Sequence, residues 1–118
     1  MWTRFFERAL VLTILLCIFI PISLNRLIAG DEGFYVLAAK LVASGDRLYS
    51  DFFYPQMPLL PWIYGTWMRM FGPTWESVRI LAGIFSALIG YLIYLHLLAF
   101  NRRWAIFGIF LFVTSTLV

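Results

Sequence analysis

The chain has 118 residues, 63% of them apolar, 19% aromatic and 13% charged, with a formal net charge of +3. Soluble domains carry about 25% charged and 45–50% apolar residues, so this composition is that of a membrane protein. The nine Lys and Arg residues are scattered singly or in pairs, which excludes the basic patch of a nucleic-acid binder, and the single cysteine, Cys17, excludes an intrachain disulfide framework. Lying in an apolar run, Cys17 is expected to act as a small hydrophobe.

Residues 1–8 carry Arg4, Glu7 and Arg8, and are expected to be cytoplasmic by the positive-inside tendency. Ala9 to Leu24 is then free of charge, and with the next few residues it is long enough to span (9–29). A cleaved signal peptide is the alternative. Cleavage needs small residues, however, and Leu27-Ile28-Ala29-Gly30 has bulky ones at the key position. Pro21 should bend the last turns of this first span. Arg26, at its outer end, either snorkels to the headgroups or meets a lipid phosphate.

An outer loop (30–75) follows, opening on Asp31-Glu32. Phe34, Leu37, Ala38, Leu41 and Val42 recur at helical spacing, and Gly45 is a natural stop. This predicts a helix over 33–44, too short to span and lying flat with its apolar stripe on the interface. Pro55, Pro58 and Pro61 come every third residue, and a second short helix is expected over 58–71, ended by Gly72-Pro73. At about 20 Å it is interfacial or re-entrant, short of a core about 30 Å thick. A second span is expected over 77–100, uncharged from Ile80 onward, with Gly83, Ser86, Ala87 and Gly90 allowing close helix packing. Asn101-Arg102-Arg103 makes a basic cytoplasmic turn (101–103), and a third span (104–118) stops in mid-segment. The expected fold is thus all-α: a polytopic helical membrane protein with about three transmembrane helices and two interfacial helices in the first outer loop.

Two adjacent carboxylates at a membrane boundary are costly, and mark Asp31 and Glu32 as functional candidates. The plain alternative is that Asp31 caps the helix beginning near Glu32, for about 1 kcal/mol, with both acids suiting the helix dipole. Tyr54 either hydrogen-bonds a substrate, together with Gln56, or anchors at the interface. Arg79 either meets an anionic group or pairs with Glu76 three residues back. Arg69 has the same pair of readings, with snorkelling as the plain one. His96 lies far along the second span and is expected to be packed or hydrogen-bonded.

The order of these parts is what carries a likeness. The stretch DEGFYVLAAKLVASGDRLYSDFFYPQMPLLPWIYG, the Phe71-Gly72 break and ESVRILAGIFSALIGYLIYLHLL resemble the amino-terminal region of polytopic C-type-fold glycosyltransferases, the aminoarabinose-transferase-like and protein-O-mannosyltransferase-like members above all. The resemblance runs from the first span to the end of the chain. It implies that the chain is the amino-terminal part of a longer protein, inactive alone, completed by further helices or a partner subunit. It implies a plasma-membrane enzyme whose active side is extracytoplasmic and whose donor is a sugar on a polyprenyl phosphate. In this likeness Asp31 is the catalytic base toward an acceptor hydroxyl, with inversion at the sugar, and Glu32 binds acceptor or metal in some relatives. Beside that likeness, Glu32, Tyr54, Gln56 and Arg79 are expected to bind substrate. Arg26, Arg47 and Arg69 join Arg79 as local cations for the leaving phosphate. Some relatives carry an acidic–basic pair where this chain reads Pro55-Gln56-Met57-Pro58, so any role of that pair is in doubt here. No cofactor is called for, and a divalent metal lacks support, because an Asp-Glu pair with no nearby His is a poor ligand set.

Two other classes stay in view. One is a non-catalytic small membrane subunit or scaffold in which Asp31-Glu32 only caps a helix. The other is one end of a transporter with Asp31 as an ion site, which a boundary position disfavours against the mid-plane sites of transporters.

Overall fold

The computed structural model describes residues 2–27 and 30–117. Residues 28 and 29, the expected end of the first span, lie outside the described residues, as does the last residue of the third. The described chain is all-helical: α1 (Trp2–Asn25), α2 (Glu32–Ser44), α3 (Leu59–Phe71), α4 (Trp75–Leu98) and α5 (Arg102–Leu117). Within them, Arg4–Asn25 and Trp75–Leu98 are long and apolar enough to cross a membrane. At 1.5 Å per residue they reach about 33 and 36 Å, more than the hydrocarbon core of about 30 Å. By contrast α2 and α3 have 13 residues each and α5 has 16. Pro21 does not end α1, which runs on to Asn25.

The chain divides into two compact units, one made of the residues up to Ile22 together with Gly83 onward, the other of Ser23–Ala82. In the first, Leu15, Phe19 and Ala87 form a buried centre, with Tyr91, Phe112 and Val113 packed on it. Small residues permit this. A Cβ on Gly90 would stand 3.1 Å from the Phe112 ring, and one on Gly108 would collide with Leu97. Tyr94 is buried and donates its hydroxyl to Glu7 Oε1 at 3.1 Å, and Arg102 Nε lies 3.2 Å from the same oxygen. The start of α1, the end of α4 and the start of α5 therefore meet at one end of this unit.

In the second unit α2 packs along α3. Pro61, Gly65 and Met68 form the buried stripe of α3 at i, i+4 and i+7, facing Val36 and Ala39 of α2. The approach is close: a Cβ on Gly65 would lie 2.9 Å from Val42 Cγ1 and 3.0 Å from the Ala39 carbonyl oxygen. Phe34 and Leu37, of the stripe expected to lie on the interface, are exposed, while Val36, Ala38 and Ala39 are buried. Small side chains at the contact let the two short helices approach.

Gly45 ends α2 as expected. At φ 108° it is in the left-handed region, its N–H turned to Val42 O, while Asp46 N–H reaches Leu41 O at 3.1 Å. Arg69 of α3 completes this end, its Nε donating to Ala43 O at 3.0 Å and its Nη2 to Val42 O at 2.6 Å.

Candidate functional site

Asp31, Glu32, Tyr54, Gln56 and Arg79 all fall in the Ser23–Ala82 unit: the two acids at the start of α2, Tyr54 and Gln56 in the loop before α3, and Arg79 on α4. Asp31 occupies the residue before that helix, with φ −88° and ψ −12°, and its carboxylate makes no cap hydrogen bond. The capping role is therefore not taken up by its side chain. Its backbone carbonyl accepts Tyr35 N–H at 3.2 Å, and its side chain is exposed. Asp31 already has helical backbone angles, whereas a side-chain cap normally needs the β region. Glu32, one residue on, sits in a different environment.

Glu32 is gripped by Arg79 of α4, with Nε to Oε1 at 2.8 Å and Nη2 to Oε2 at 3.0 Å. This is the bidentate geometry in which a guanidinium and a carboxylate fit best. The pair is largely shielded, the side chains being 11% and 26% exposed. Arg79 Nη1 also donates to Leu24 O at 3.1 Å and to Arg26 O at 2.8 Å, and its guanidinium carbon stands 5.6 Å from the centre of the Trp75 ring. One side chain thus ties the carbonyls at the end of α1 to the start of α2 from α4. The expected pairing of Arg79 with Glu76 is replaced by this longer-range one. A shielded carboxylate with two-point contact is the stronger partner, and an i,i+3 surface pair contributes only a few tenths of a kcal/mol. Sequence reasoning missed the Glu32–Arg79 pair; its available signal was two charges, each at the border of an apolar run, that need a counter-ion.

Beside the clamp lies a cluster of rings and amides. Gln56 Nε2 donates to Tyr35 Oη at 3.1 Å, and Tyr49 Oη donates to Gln56 O at 2.6 Å. Tyr54 is a core residue and not an interface anchor: it is buried with Ala38 and Leu48, and its ring stacks on Phe34 at 5.4 Å between centroids and 7° between planes. Burial pushes its phenol pKa up, with the nearby Tyr35 and Tyr49 adding to the shift. For Tyr64, burial and then the charge of Glu32 raise the phenol pKa. In this arrangement Gln56 joins α2 to the loop before α3, and its side-chain carbonyl has no protein partner among the described residues.

The remaining cations are divided between tasks. Arg47 pairs with Asp51 in an exposed i,i+4 bridge at 3.4 Å, and Arg69 caps α2. Arg26, by contrast, is exposed and has no carboxylate partner among the described residues. His96 is exposed and makes an edge contact with Phe100 at 5.6 Å, in place of the packed setting expected. Among the described residues no group of three His, Cys, Asp or Glu side chains is placed to hold a metal ion.

No family model, curated protein or solved structure matches the chain. What the site can do follows from its geometry. It presents one exposed carboxylate, Asp31, next in sequence to the shielded Glu32–Arg79 pair, with the exposed Arg26 five residues before it.

Proposed function

We propose that the chain is part of an integral-membrane glycosyltransferase that moves a sugar from a polyprenyl-phosphate donor to an acceptor hydroxyl on the outer face of the plasma membrane. The observation that carries this reading is the unequal fate of two adjacent carboxylates. Glu32 is neutralised by Arg79, and Asp31 is left exposed and uncapped. A carboxylate in that state is available as a general base. In the proposed step the acceptor O–H gives its proton to Asp31 as its oxygen bonds the anomeric carbon. The carbon–oxygen bond to the phosphate breaks on the opposite side, and the lipid phosphate leaves with the electron pair, beside Arg26.

Orientation follows from charge. Arg4 and Arg8 belong to the α1 end that meets Arg102 through Glu7, and with Arg103 they make that end basic. The positive-inside tendency puts it in the cytoplasm, so the α1–α2 connection carrying Asp31 emerges outside.

Asp31→Asn in the full-length protein tests the assignment. The expected result is a loss of sugar transfer of at least about a hundredfold, with the melting temperature unchanged because the side chain is exposed. Transfer at the wild-type rate would remove Asp31 from the reaction.

A further inference from the structure

At the far end of α2 from Asp31 there is a cavity of about 410 Å³, lined by Asp46, Arg47, Tyr49, Trp62, Thr66 and Arg69 among others. Its volume lies within the range of small-molecule sites, about 300–1,000 Å³. Asp31 and the cavity lie toward opposite ends of the 13-residue α2, about 20 Å apart along the helix, and Tyr49 on the cavity wall is joined through Gln56 to Tyr35 near the proposed transfer site. We propose that this cavity is a binding site for a neutral saccharide.

The wall chemistry points to that class of ligand. Trp62 and Tyr49 are 53% and 57% exposed, and offer flat apolar faces of the kind that the C–H side of a sugar ring covers. Arg69 uses two of its N–H groups on the α2 carbonyls, and a guanidinium has five. The Thr66 hydroxyl can donate and accept, and Asp46 contributes an acceptor-only carboxylate. A polyhydroxyl ligand uses donors and acceptors together. A phosphate uses donors alone and is repelled by Asp46, while Arg47 is already paired with Asp51.

The wall is also preformed. Tyr49 holds φ 69°, a left-handed conformation costly for an aromatic residue. It is fixed there by Tyr49 N–H to Phe52 O at 3.1 Å and by its hydroxyl on Gln56 O at 2.6 Å. A strained residue held from both ends on a cavity wall is the kind of outlier that marks a ligand site.

The test is a binding measurement, independent of any transfer reaction. The full chain is taken up in dodecyldimethylamine oxide, whose headgroup is neither sugar nor phosphate. Saturation-transfer NMR is then recorded on maltose and phosphorus line broadening on inorganic phosphate. Saturable transfer to maltose is expected, with a dissociation constant in the millimolar range and no displacement by phosphate. Trp62→Ala and Asp46→Asn, each with an unchanged far-ultraviolet circular dichroism spectrum, should each weaken it at least about tenfold. Asp46→Asn keeps the backbone contact to Leu41 O, so it remains informative if Trp62→Ala fails to fold. Absence of transfer to maltose from the folded chain overturns the proposal. So does transfer that is equal in wild type and the folded variants, or binding of phosphate in place of maltose.

Discussion

Replacing Arg79 by Met takes from Glu32 its ion-pair partner, and from Leu24 O and Arg26 O a shared donor. Losing one member of a buried pair costs about 3–5 kcal/mol, and the residual exposure of Glu32 puts the expected loss near the lower end, about 3 kcal/mol. Denaturant unfolding in micelles reads this directly. Arg79→Lys keeps the charge without the two-pronged geometry, and should fall between Met and wild type. Equal stability of all three would mean that the clamp does not hold the turn. Asp51 gives a weaker, pH-dependent effect. The Arg47 backbone N–H and then its side chain hold the Asp51 pKa below the ordinary 3.8. A lowered folded-state pKa stabilises the turn above that value, and the contribution disappears as pH falls through the lowered one. Amide exchange across residues 47–51 should therefore rise selectively in strong acid, and Asp51→Asn should abolish that rise. A flat profile in the wild-type chain would sink the assignment.

Among the elements, the α2–α3 contact is the one with least tolerance. Gly65 faces Val42 and the Ala39 carbonyl so closely that one added methyl must push backbone as well as side chain. Gly65→Ala is expected to cost about 1–3 kcal/mol, even though alanine favours helix over glycine by about 1 kcal/mol. The sign of the measured change decides between packing and propensity: a more stable Gly65→Ala chain would show that the helices do not touch there. Much of this element was legible in advance. Pro58 precedes the first helical residue, Gly72 ends α3 and Gly45 ends α2, because proline and glycine act through the backbone of their own neighbourhood. The burial of Tyr54 was not legible. A tyrosine in a loop looks the same in sequence whether it stacks on Phe34 or anchors at an interface.

For the whole molecule, α1 and α4 are the helices suited by length and composition to cross a membrane. If α4 spans, its two ends must be reachable from opposite sides. In a Cys17→Ser background, Gly30→Cys and Arg103→Cys should react with an impermeant maleimide from opposite faces of sealed vesicles, with position 30 outside. Reaction of both from one face would overturn the proposed topology, and with it the outer location of Asp31.

Composition, apolar run lengths and the spacing of Pro and Gly were enough to determine that the described residues are all-helical, with two long apolar helices and a pair of short ones between them. These are local properties, set within one or two helical turns. The third span expected over 104–118 is the 16-residue α5, which is not among the helices long enough to cross a membrane. Tertiary structure alone decided that Arg79 reaches across 47 residues to Glu32, that Asp31 is left uncapped beside it, and that Arg69 closes the end of α2 and borders a cavity. A charged side chain takes the partner that shields it best. Which partner that is depends on where the helices bring the chain back, a relation that no window of neighbouring residues contains.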